Sequence, residues 1–215
     1  MSLSIRAATA DDADLIAWVE VEAARSHRPL GFWDVALPGP DRPRLDLIAQ
    51  VVVSSGEPCF AHFDGFLVGE LDGVPVGALS GYDPTRKPLA HFLAVLDAVL
   101  ERNAWSEAHR ALLWQRLSPM ARCTSDSPDD RWVVEFVALR PEARGKGIAA
   151  RLVEAILQRG RDAGFSKAQI SYLIGNTPAR LTYQRAGFVD VDEKRDPEFE
   201  ATFGSPGVVR MWMDL

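Results

Sequence analysis

An α/β fold, built on a mixed sheet flanked by helices, is predicted for this chain of 215 residues. Three observations predict it. Apolar residues switch repeatedly between period two and a helical period, so strands and helices alternate along the chain. Two strand-like runs, 65–70 and 74–81, are joined by Asp72-Gly73, a dipeptide that favours a tight hairpin. Further on, an apolar strand over 132–139 passes through a glycine-containing turn into an amphipathic helix.

In chain order, residues 5–8 read as a short strand, and Thr9 with Asp12 three residues later forms a capping-box-like start to a helix over about 10–25. Leu15, Ile16, Val19 and Ala23 give that helix one buried face. The Pro/Gly-rich stretch 29–43 reads as loop, after which Leu45, Ile48, Ala49 and Val52 fall at helical spacing. Past the hairpin, 83–130 turns helical again: Phe92, Val95, Leu96 and Val99 mark one helix and Leu112, Leu113 and Leu117 a second. This pair is expected to be an insertion, and it ends in the polar loop 124–130. After the strand 132–139, Ile148, Leu152, Ala155 and Ile156 form the face of a helix that stops at Gly164. A strand over 169–174 follows, then a short helix with Thr177 as N-cap, Pro178 at its first position and Gly187 closing it. Two last strands, near 188–192 and 207–214, flank an acidic loop. The whole is expected to be one domain over 1–215, with the insertion at about 83–130.

Composition narrows the function. With 24 Lys+Arg against 30 Asp+Glu the net charge is −6, and no run supplies the basic stripe that a polyanion needs. No nucleic-acid partner is expected. Residues 2–6 lead into acids at Asp11, Asp12 and Asp14, unlike a signal peptide, and no apolar run approaches the roughly 18 residues of a membrane span. A cytoplasmic protein with no membrane partner is expected. Cys59 and Cys123 stand far apart, outside any C-x-x-C, which suits reduced buried thiols. The four histidines, His27, His62, His91 and His109, show no metal-ligand spacing, so no metal is expected.

The segment Val137-Ala-Leu-Arg-Pro-Glu-Ala-Arg-Gly-Lys-Gly-Ile-Ala149 carries the strongest chemistry. Small residues at a strand–turn–helix junction let backbone N–H groups point at a phosphate, and the helix dipole adds partial positive charge. Residues 141–164 hold five Lys/Arg and three Asp/Glu, a local +2 within an acidic chain. A dinucleotide fingerprint would need an acid about 20 residues on, at the end of the next strand. That strand ends in Ile174-Gly175-Asn176 instead. No Walker sequence is present.

Arg144-Gly-Lys-Gly-Ile-Ala149 resembles the [Q/R]-x-x-G-x-[G/A] signature of the GNAT superfamily of N-acetyltransferases. A second segment, Asn176-x-x-Ala179-x-x-x-Tyr183-x-x-x-Gly187-Phe188, looks like that family's other coenzyme A segment. Together they cover about 132–189. The resemblance implies a mostly antiparallel sheet, splayed where the strands at 132–139 and 169–174 part. It further implies acetyl-coenzyme A (acetyl-CoA) as cosubstrate, with pantetheine along the backbone of Val137, Ala138 and Leu139. The pyrophosphate would be wrapped by Arg144, Gly145, Lys146, Gly147, Ile148 and Ala149. Asn176, Ala179 and Tyr183 would also touch the coenzyme, with Tyr183 as general acid.

Acetyl transfer needs a held thioester, a deprotonated amine and a proton for the departing thiolate. A phenol, with an ordinary pKa near 10, keeps its proton at pH 7, so Tyr183 can donate. Glu135 is the candidate base: it interrupts an apolar strand, where desolvation would raise a carboxyl's pKa toward the useful range. Alternatives to each are a packing role for Tyr183 and an outward or salt-bridged Glu135. The acidic run 190–200, six acids and two bases, would suit a cationic acceptor or be plain solvated loop. Trp33, Trp105 and Trp114 either line an acceptor pocket or pack the inserted helices. The expected activity is acetyl transfer to a small-molecule primary amine by direct attack in a ternary complex. A protein lysine or N-terminal acetyltransferase and a non-catalytic acyl-CoA sensor are the alternatives. A homodimer is compatible with all three.

Overall fold

The computed structural model describes residues 2–56, 58–124 and 127–215. Seven strands form one sheet in the order β1-β2-β3-β4-β5-β7-β6: β1 (Leu3–Ala7), β2 (Phe66–Leu71), β3 (Val74–Tyr82), β4 (Trp132–Leu139), β5 (Lys167–Leu173), β6 (Val189–Arg195) and β7 (Gly207–Asp214). Every neighbouring pair is antiparallel except β4 and β5, which run parallel. The hairpin between β2 and β3 turns at Asp72 (φ 49°) and Gly73 (φ 79°), both left-handed, as a type I′ turn demands.

Helices cover both faces. On one lie α1 (Ala13–Arg25), α2 (Phe32–Ala36), α3 (Asp41–Val52), α4 (Leu89–Arg102) and α5 (Glu107–Leu117), sharing a core with Phe66, Val68 and Ala78 of the sheet. On the other, α7 (Ile148–Asp162) and α8 (Thr177–Arg185) pack against Val76, Leu79, Trp132 and Val134. Two short helices, α6 (Met120–Cys123) and α9 (Pro197–Phe203), form a small third cluster through Cys123, Phe199 and Phe203.

Several sequence expectations change. The stretch 29–43 is not all loop: Phe32–Ala36 coils because Gly31 ends the chain reversal and Asp34 accepts its N–H at 2.9 Å. The segment 83–130 holds three helices, not two, and α4 and α5 enter the same core as α1 and α3. Of its terminal polar run, Ser125 and Asp126 lie outside the described residues. The N-cap of α8 is Asn176, whose Oδ1 accepts from the Ala179 N–H at 3.2 Å, so Thr177 falls inside the helix. The run 190–200 is strand β6 and most of α9 rather than a loop, and most of its acids have partners. Asp190 accepts from Tyr172 and Arg180, Asp192 pairs with Arg210, Glu193 with Arg195, and Asp196 caps α9.

The feature that opens the sheet lies in β4. Ser80 faces Glu135 and Ala78 faces Ala138, so one residue of β3, Leu79, stands opposite both Phe136 and Val137. Phe136 is the extra residue, at φ 53°. The bulge shifts the alternation of side chains: Trp132 and Val134 point to the α7 side, whereas Phe136 and Ala138 pack on the α1 side. Pairing with β5 is confined to Trp132, Val133 and Val134. Beyond the bulge, β4 is bonded on one side only and the two parallel strands part.

A buried ion-pair group anchors α1, α2 and α3 over this gap. Asp34, 7% exposed, accepts from Arg25 (2.7 and 3.0 Å), while Arg44, 5% exposed, stands 2.9 Å from it and also donates to Leu37 O. Removing one partner of such a group leaves a buried charge uncompensated. Asp34→Ala is therefore expected to cost about 3–5 kcal/mol of unfolding free energy, read as a lower midpoint at unchanged slope in urea titration.

Candidate active site

The turn after β4 is built for an anion. Residues 141–143 form a single 3-10 turn, and Arg144 Nε ties the loop back to Leu139 O at 3.0 Å. Gly145 and Gly147 sit at φ 74° and 75°, a region that side chains disfavour, and no atom lies within 4 Å of where either Cβ would be. Gly147 is the N-cap of α7 and has no side chain with which to close it. The N–H groups of the first turn are thereby left for an external acceptor. Arg144, Lys146 and Arg151 are all exposed around it. Uncapped amides, open space and three cations are a donor set of the kind a diphosphate takes, on the stretch Arg144 to Ala149 singled out in the sequence.

From that loop, the backbone of Val137, Ala138 and Leu139 runs toward the bulge with no β5 partner. Its edge offers peptide groups to anything lying in the gap.

Glu135 marks the other end of this edge. Strand alternation from Trp132 and Val134 turns it toward α1, where burial pushes its carboxyl up to about 7, although the Tyr82 hydroxyl favours the ionised form. Tyr82 in turn is held protonated by burial and by the neighbouring Glu135 charge. Phe60 stacks on Tyr82 at 5.4 Å and on Phe136 at 6.1 Å, walling this side with aromatic rings. The alternative of a salt-bridged Glu135 is not what the fold presents, because no Lys or Arg pairs with it among the described residues.

Tyr183, 7% exposed, belongs to the core on the α7 face and meets Phe188 edge-on at 6.4 Å. Burial alone raises its pKa, so it keeps its proton throughout the neutral range. Asn176 is less available than expected. Besides capping α8, it donates through Nδ2 to Ser26 Oγ at 2.6 Å, tying the end of α1 to the start of α8. Ser26 is itself left-handed, at φ 58°. Ala179, next to this cap, is half-buried against the α7-face core.

One group escaped the sequence reading. Glu20 is fully buried in α1, with neither carboxyl oxygen hydrogen-bonded, and Glu135 acts on it electrostatically. The signal was present: Glu20 falls four residues after Ile16 and three before Ala23, a carboxyl on the apolar stripe of the helix. Trp33 is buried beside it, its Nε1 unbonded, whereas Trp105 and Trp114 only pack at the edge of the core.

Residues 38–188 match the family model described as the Acetyltransferase (GNAT) family. The chain belongs to the GNAT acetyltransferases. Solved structures share the fold of this GNAT chain at low identity. An N-acetyltransferase from Staphylococcus aureus Mu50 has a TM-score of 0.68 at 18% identity, covering 99% of this chain and 100% of its own. A polyamine N-acetyltransferase from Drosophila melanogaster that forms N-acetylagmatine reaches 0.55 at 15%, covering 100% of both chains. The ribosomal-protein-alanine N-acetyltransferase of Brucella melitensis reaches 0.54 at 17%, covering 99% of both. No curated protein matches in sequence. Use of acetyl-CoA and of an amine acceptor follows from membership of the GNAT family. Among the described residues no helix is long and apolar enough to cross a membrane.

A side chain at Gly147 would have to adopt a left-handed conformation beside the uncapped amides of α7. Gly147→Ala is expected to weaken acetyl-CoA binding about 10-fold or more, the loss of one charge-assisted hydrogen bond. Calorimetric titration with the coenzyme measures this.

Proposed function

We propose that this GNAT enzyme acetylates the primary amine of a small molecule by direct attack within a ternary complex, with Glu135 as base and Tyr183 as acid. The observation that carries this reading is Glu135: a carboxyl poised at about 7, at the bulge where β4 leaves β5. Acetyl-CoA supplies the acetyl group already activated as a thioester. The loop from Arg144 to Ala149 holds its diphosphate, and the free edge of Val137–Leu139 orients the chain that leads to the sulfur.

The gap between β4 and β5 joins the two faces of the sheet. Glu135 lies on the α1 face and Tyr183 in the α7-face core, so the amine and the leaving sulfur are served from opposite sides. Glu135 accepts the proton of the attacking amine, and Tyr183 donates its own to the departing sulfur. A small acceptor is favoured by the half-buried position of Glu135 on the α1 face, beside Tyr82 and the ring of Phe60 stacked on it, which suits a compact stem better than a protein segment. Direct attack is favoured because Cys59 and Cys123 are both buried, with their thiols pushed up by burial and hence poor nucleophiles.

The test is release of coenzyme A thiol with a panel of small amines, where binding of acetyl-CoA without release from any amine would indicate a sensor. Tyr183→Phe is expected to lower kcat about 10²-fold with little change in coenzyme affinity, as for loss of a general acid. Because the base works deprotonated, kcat/KM is expected to fall as pH drops through about 7, and Glu135→Gln to abolish that limb.

A further inference from the structure

Glu20 is fully buried, and neither carboxyl oxygen has a hydrogen bond of good geometry; Trp33 Nε1–H, which also lacks one, is the polar group that faces it and favours its ionised form. Among the described residues neither Glu20 nor Glu135 pairs with a cation. A fold seeking only stability would place an apolar residue here, since a buried polar group without a partner costs about 1–3 kcal/mol. Glu20 on α1 and the half-buried Glu135 on the strand that α1 packs against act on each other electrostatically, and such a pair of carboxyls waits for a positive charge.

The surroundings are fully specified. From α1 comes Glu20, from β4 Glu135, from β3 the Tyr82 hydroxyl, and from the loop before β2 the Cys59 thiol, which feels the Glu20 charge. Lys87 acts on Cys59 but is bound to Asp64. From α2 the facing group is Trp33, because Asp34 is turned to Arg25 and Arg44.

We propose that Glu20 and Glu135 form one paired-carboxyl unit that selects a cationic amine acceptor, with Glu20 its buried positioning residue. The proposal rests on the reading of Glu135 as the base. While the site is empty, Glu20 keeps a proton, because two adjacent anions cannot both be buried. When an alkylammonium group reaches Glu135, its charge makes the second carboxylate affordable: the Glu20 O–H bond breaks, the proton leaves to solvent, and the carboxylate remains with the ammonium. No other bond changes. Glu20 acts through the charge it adds at Glu135. An uncharged analogue of the acceptor has no such effect.

Calorimetry tests this with phenethylammonium as probe, on the full chain with coenzyme A bound, in buffers of differing ionisation enthalpy at pH 7. The expected result is net proton release on binding greater than the roughly half proton that Glu135 alone, at about 7, could give up at pH 7, none with phenethyl alcohol, and a smaller release with about 10-fold or more weaker amine binding in Glu20→Gln. Coenzyme A affinity should be unchanged in that variant. Should Glu20→Gln not fold, the wild-type proton count and Glu20→Asp, expected to retain release, decide. No amine binding, binding without proton release, or a Glu20→Gln variant identical to wild type in both readouts overturns the proposal. Proton-linked amine binding without acetyl transfer would instead overturn the reading of the site as catalytic, so the two failures are distinguishable.

Discussion

The left-handed backbone of Phe136 is the constraint from which the site follows. A bulky residue at positive φ costs on the order of 1–3 kcal/mol, and it persists only where its surroundings demand it. Here they do: Phe136 stacks near Phe60 and Phe66 on the α1 face, and β3 continues pairing on either side of the extra residue. The displaced residue puts Phe136 on the same face as Glu135 and returns Val137 to the α7 face, just where β4 has parted from β5. The free backbone edge that results leads from Glu135 to the glycine turn before α7.

Buried charge is handled in two contrasting ways within the α1–α3 layer. Around Asp34, each carboxylate oxygen meets guanidinium or backbone N–H groups, and the cluster locks three helices together. Around Glu20 and Glu135, no Lys or Arg pairs among the described residues. The first group ties the helices together, and the second is the one for which we propose an acceptor's charge as partner.

Much of this was legible in the sequence. The strand 132–139 was found to the residue and α7 by its buried face, though it ends at Asp162 and not at Gly164, because a continuous apolar run and a strict helical stripe flank two glycines. The glycine turn between them was legible for the same reason. The bulge was not: no Gly or Asn marks Phe136, and its conformation comes from packing across the sheet. The acids of 190–200 misled as well, since their partners Tyr172, Arg180 and Arg210 lie on other elements and only folding brings them together. Asn176 was identified, but its role as cap and tether depends on Ser26, 150 residues away.

The central claim is that the gap beyond Val134 and the uncapped end of α7 form a single coenzyme site. Amide hydrogen exchange with and without acetyl-CoA tests it most directly. The account predicts new protection at residues 135–139 and 145–150, with residues 132–134, already paired to β5, unchanged. Protection confined to other segments, such as the groove between α8 and β6, would contradict it.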